Sequence, residues 1–284
     1  MELKLPRGAG TRDHGYAVEL DAGLDGVNEV ILDVGDLVGL HPLFAVRFAL
    51  WLEHQQQGGR SVEIKEPEDA ETRRCFRAFR LGKGIGGVAE ALVEDDPDVI
   101  IRPTRLSELT EVDELADRLL QPLIDHFDDV AVVRDAVLMA ISELCQNAVE
   151  HGASDAGCVV AAGRGKADGL SQIMLGIGDY GIGIPEHIRR SHPEFVGDEH
   201  AIGQALQEGV SGTQRPDRGY GFSWVLKETL SSAASSAEMF IRAGYGAFRR
   251  EIVDARVKDH GWNTSSTQGT WIACDWTTVG RPGR

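Results

Sequence analysis

The stretch "ISELCQNAVEHGAS", Ile141 to Ser154, sets a carboxylate, an amide, a second carboxylate and an imidazole into an otherwise apolar run. On a helix from Asp129 to Glu150, the residues Val137, Ile141, Leu144 and Ala148 form one stripe, the face a helix buries. Glu143, Asn147 and His151 recur every four residues and stack as a second line along the border of that stripe. Polar groups at such a border need partners or solvent. A solvated face ending in a histidine that complements the helix dipole is one reading. The other is a partly buried carboxylate beside an amide oxygen, a pair suited to a water and a hard, oxygen-preferring cation.

Outward from this helix, the chain divides into two patterns. Before it, "NEVILDV" (Asn28 to Val34) and "SVEIKEP" (Ser61 to Pro67) read as strands, alternating with helices over "LFAVRFALWLEHQQQ" and "DAETRRCFRAFRLG". Alternation of this kind predicts a small α/β unit with a parallel sheet. The following stretch "GKGIGGVAEALVEDDPDVIIRPTRLSE" is rich in Gly, Asp and Pro. Its "GKGIGG" lacks the spacing of a phosphate loop and reads as a flexible connection, with a boundary near Pro103. After it come a helix over Ser107 to Phe127, the helix quoted above, and strands "GCVVAAGRG", "SQIMLGIGD", "AEMFIRAGYG", "FRREIVDA" and "GTWIACDW". A helix "SWVLKETL" lies between the second and third of these. This order predicts an α+β sandwich, with helices on one face of a mixed, mostly antiparallel sheet. The domains expected are residues 1–104 and 105–284.

Three further stretches carry chemistry. In "IMLGIGDYGIGIPEHI" a buried strand runs into Asp179, then Gly181 and Gly183, then Ile184 and Pro185 at a helix start. A carboxylate fixed there accepts from the exocyclic amine of adenine and opposes the carbonyl oxygen guanine presents at the same place. A Rossmann reading fails because its third glycine position holds Glu186. In "EGVSGTQRPDRGYGFSWVLKETL", Gly209 to Asp217 reads as a mobile loop, and glycines opening a helix let backbone N–H groups point at phosphate. In "STQGTWIACDW", Gly269 and Thr270 begin the last strand.

In their order and spacing, these stretches resemble the ATP-binding domain shared by bacterial histidine kinases, type II topoisomerases, MutL and the anti-sigma-factor kinases, the GHKL family. "SELCQNAVEHG" matches its first box, "DYGIGIP" its adenine box, "RGYGF" its phosphate loop and "QGT" its terminal strand, over roughly residues 105 to 280. The resemblance implies a Bergerat-type sandwich binding ATP with Mg²⁺. Asn147 would be the Mg²⁺ ligand and Glu143 the base that orients an attacking oxygen, with His151 beside the nucleotide. Asp179 would read adenine, and Gly181, Gly183, Ile184 and Thr270 would border the base. Gly219, Tyr220 and Gly221 would face phosphate, behind a lid before Arg218.

A glutamate in the first box and the "NAVEHG" ending are most similar to anti-sigma-factor serine/threonine kinases. None of the nine histidines sits in the helical hairpin, followed by an acidic residue, that a sensor kinase needs. The N-terminal unit is similar to STAS domains, the partners of those kinases. Where STAS antagonists carry a phosphorylatable Asp-Ser-Ser, this chain has His41, Pro42 and Leu43.

Composition excludes other classes. Acidic residues number 45 and basic ones 29, a net charge of -16 that repels nucleic-acid backbones and anionic membranes. The four cysteines have no metal-type spacing, no apolar run is long enough for a bilayer, and the N-terminus lacks a secretion signal, so the expectation is a cytoplasmic signalling protein. The partners expected are ATP and a protein such as a sigma factor or STAS-type antagonist, with a homodimer as a further form. The activity expected is that of an ATPase or serine/threonine kinase. The alternative is an ATP-gated switch that exchanges partners with little or no catalysis.

Overall fold

The computed structural model of the chain describes residues 1–10, 24, 26–126, 131–151, 157–167, 170–207, 234–254 and 256–278. Among these, the N-terminal part forms a three-stranded parallel sheet in the order β1 (Glu2–Lys4), β2 (Glu29–Asp33), β3 (Ser61–Lys65). Helix α1 (Pro42–Gln57) connects β2 to β3, and α2 (Ala70–Ala78) follows β3. The parallel pairing is the one the strand–helix alternation predicts. Asp69 caps α2 by accepting from the Thr72 N–H at 2.8 Å.

The second sheet has five strands, every pair antiparallel, in the order β4 (Val99–Leu106), β5 (Cys158–Ala167), β6 (Leu170–Asp179), β8 (Arg256–Thr278), β7 (Ala234–Val253). Helices α3 (Leu109–His126) and α4 (Ala131–His151) pair with each other and lie on one face, with short helices α5 (Ile184–Arg189) and α6 (Asp198–Ala205) beside β7. Val137, Ile141 and Leu144 of α4 join Ile173, Leu175 and Ile177 of β6 in one core.

Three expectations are corrected. The connection before Pro103 contains β4, and the expected boundary at residue 104 falls inside that strand. Proline is tolerated there because β4 is an edge strand, and Gly86 of the glycine run donates its N–H to the Pro103 carbonyl at 3.1 Å. The strands expected over 237–246 and 248–255 are one strand, β7, with register breaks between Ala243 and Gly246.

The third correction concerns the layers: the sheet carries helices on both faces. Helix α1 packs on the face opposite α4, against β5, β6 and β8. Its Leu43, Val46 and Phe48 share a core with Val159, Ala161, Trp271 and Ala273. Apart from Arg47 the run "PLFAVRFALWL" is apolar, and its other ten residues are buried, because α1 has a sheet on each side. Glycine permits the approach: a Cβ on Gly176 would overlap the Leu43 backbone, and one on Gly178 would meet the Trp271 ring.

No helix among the described residues is long and apolar enough to cross a membrane. All four cysteines are free thiols.

Candidate functional site

At the end of β6, alternation puts Asp179 on the face of Ile173, Leu175 and Ile177, the face that α4 covers. It is only 4% exposed. Its Oδ1 accepts from the Gly181 N–H at 2.6 Å. Burial pushes its carboxyl up to about 7, against the opposing effect of hydrogen bonds from the Gly181 and Thr270 backbone. Thr270 is its ladder partner on β8. The strands come this close because position 269 is glycine, with φ of 74° and a Cβ position that the Asp179 carbonyl fills.

The chain then turns through Gly181 and Gly183. Gly183 has φ of 79° and stands before the first residue of α5, so the left-handed region is occupied where glycine is cheapest. Ile184 packs half-buried on the core beneath. One turn on, His187 stacks on His151 of α4, ring centroids 4.7 Å apart and 25° between planes. Burial lowers the His187 imidazole to about 4, helped by the neighbouring His151 and Arg190 charges. This contact ties the end of α4 to the helix that follows Asp179. His151 also lies 3.7 Å from Glu150.

Asn147 and Glu143 continue the line from His151 back along α4, one and two turns away, and both are half-buried, as their border position predicts. Asp179, Gly181, Gly183, Ile184 and Thr270 thus meet at one end of the sheet, with His151 joined to them through His187. Gly219, Tyr220 and Gly221, the lid from Gly209 to Asp217 and the helix at Ser223 to Leu230 lie outside the described residues.

The donor set on α4 fits Mg²⁺: a neutral amide oxygen at Asn147 and a carboxylate at Glu143, hard oxygens for a cation that keeps several waters and is held chiefly through substrate phosphates. Asp179 suits an amine donor, since two N–H groups engage only part of a carboxylate's acceptor capacity. Elsewhere among the described residues, Cys75, Asp96 and Asp98 cluster closely enough for a metal, but the Arg74 guanidinium binds both carboxylates and supplies the positive charge itself.

Three residues in or behind the site escape sequence reading. His187 meets His151 only through the docking of α5 on α4. Tyr180 and Trp271, on the far face, form a T-shaped pair with centroids 5.4 Å apart. Their flanking of Asp179 and Thr270 is visible in the sequence, but their mutual contact depends on the β6–β8 register. Compared with known proteins, the chain matches no protein-family model and no curated protein.

Proposed function

We propose that the chain is a Mg-ATP-binding regulatory protein with a Bergerat-type nucleotide domain of the GHKL kind, preceded by a STAS-like unit. The observation that carries this reading is the buried Asp179, held at the strand end by backbone N–H groups and turned toward the helix that bears Glu143, Asn147 and His151. In this reading Asp179 accepts from the adenine amine, and Gly181, Gly183, Ile184 and Thr270 border the base. Asn147 would hold the cation that offsets phosphate charge, and Glu143 would take a proton from the attacking oxygen. The activity is that of an ATPase or an anti-sigma-type serine/threonine kinase acting on a cytoplasmic protein partner, a sigma factor or STAS-type antagonist.

The experiment is a titration of ATP and GTP against wild type and Asp179→Asn. Wild type prefers ATP, and the variant loses on the order of 1 to 3 kcal/mol of ATP binding, the cost of an unpaired buried donor. Equal binding of both nucleotides by wild type refutes the assignment.

A second reading, the ATP-gated switch without chemistry, is favoured by His41. In the run His41-Pro42-Leu43, which stands where a STAS antagonist carries Asp-Ser-Ser, neither Pro42 nor Leu43 has a hydroxyl and His41 itself is 5% exposed and bonded to Asp275, so the attached unit offers no acceptor there for phosphate.

A further inference from the structure

Behind Asp179, on the face of the sheet away from α4, the two residues next to its backbone donors are both aromatic. Tyr180 precedes Gly181 and Trp271 follows Thr270, and the two rings pack edge to face. The N-terminal unit touches both. Arg47 of α1 lies with its Cζ 5.2 Å from the centroid of Trp271, a cation over an indole, and the His54 ring is 6.0 Å from that of Tyr180. Arg47 and His54 are seven residues apart, two turns of one helix face.

The assembly has little slack. The Trp271 indole N–H lies 3.0 Å from both the Thr267 hydroxyl and the Gln268 carbonyl, and the Gln268 amide donates to the Tyr180 carbonyl at 3.0 Å. A Cβ at Gly178 would collide with the Trp271 ring and stand 3.0 Å from Val46 of α1. The start of α1 is pinned to the strand that carries Trp271. His41 Nδ1 accepts from the Leu43 N–H at 3.0 Å, so the proton sits on Nε2, which donates to Asp275 on β8 at 2.9 Å. Helix α1 is therefore anchored at its first turn and bears on both aromatic rings further along.

We propose that Arg47 and His54 of the N-terminal unit are positioning residues for the base site: through Trp271 and Tyr180 they hold the Gly181 and Thr270 N–H groups that orient the Asp179 carboxylate. The proposal rests on the reading of Asp179 as the adenine acceptor. Neither residue touches nucleotide, since both stand on the other face of the sheet. Their effect is on the direction in which the carboxylate points, and so on discrimination between an amine and a carbonyl at the base edge.

The test uses the full chain with Arg47→Ala, Arg47→Lys and His54→Ala. Hydrogen exchange of the Gly181 and Thr270 amides is measured without nucleotide, and ATP and GTP are titrated separately. Exchange at those two amides is expected to accelerate in both alanine variants while the amides of β5 keep their protection. ATP affinity is expected to fall on the order of threefold to thirtyfold, the range that coupling through packed side chains reaches. The ATP-to-GTP preference narrows with it, a change that a uniform loss of stability does not produce. Arg47→Lys, which keeps a cation over Trp271, restores most of both. Exchange at Gly181 and Thr270 equal to wild type in both alanine variants overturns the proposal, as does an unaltered ATP-to-GTP ratio. If wild type binds neither nucleotide, the base-reading role of Asp179 falls, and amide exchange alone then decides whether α1 holds its donors.

Discussion

Asp179 sets two pH dependences that run in opposite directions. Its folded-state value of about 7 lies above the ordinary carboxylate value of 3.8 because burial penalises the charge. Between these values the folded state keeps a proton that the unfolded state has released, so stability falls as pH rises through the window and levels off above it. A shift of that size corresponds to a loss on the order of 4 kcal/mol. Asp179→Asn should therefore raise Tm at pH 8 and change it little at pH 4, read by thermal melts of the ligand-free protein. ATP affinity of wild type should instead rise with pH through about 7, because the amine of adenine needs the ionised acceptor. A carboxylate that only supports the fold would show the first effect without the second. Glu143, on α4, separates the two readings of function. Glu143→Gln keeps shape and a hydrogen-bonding oxygen but removes the base, so a kinase or ATPase should retain ATP affinity and lose about 10² to 10⁴ in turnover. Turnover unchanged by the substitution removes Glu143 from the chemistry, and turnover at background in wild type supports the switch.

Among the elements, α1 departs most from what its sequence suggests at first sight. A helix buried on both sides needs flat, small-residue surfaces opposite it, and β5, β6 and β8 supply them as Ala161, Gly163, Gly176, Gly178 and Ala273. These residues read in sequence as weak strand formers, and their common side is apparent only once the strands are in register. Gly176→Ala forces a methyl group into the Leu43 backbone and should cost about 1 to 3 kcal/mol in denaturant unfolding, the usual cost of overpacking. Gly165→Ala is the control: its Cβ would meet the end of the flexible Met174 side chain at 3.1 Å and should be close to neutral. Equal losses at both sites would mean that strand propensity, not the seat of α1, controls these glycines. Strand β4 was hidden for a related reason. "VIIRPTRL" contains a proline that demotes it as a strand, and only its place at the sheet edge removes the conflict.

At the scale of the whole molecule, the two sheets are joined through one core, with α1 between them. The His41–Asp275 pair is buried in this junction, 5% and 4% exposed. His41→Ala removes both the cap of α1 and a partner of a buried carboxylate, and should destabilise the chain by about 3 kcal/mol or more. Wild type should unfold in a single denaturant transition followed by circular dichroism and tryptophan fluorescence together. Two separate transitions in wild type would contradict the shared core. What the sequence determined alone follows from periodicity and turn chemistry, both local: the parallel N-terminal alternation, the core stripe of α4 with Glu143, Asn147 and His151 at its border, and the turn of Asp179 through Gly181 and Gly183. The tertiary structure decided what depends on contacts between residues far apart in the chain. It placed α1 on the outer face of the second sheet, drew β4 into that sheet, stacked His187 on His151, and gave His41 a partner 234 positions away. A side-chain pattern states which face of an element must be covered, and the pairing of distant strands and helices settles what covers it.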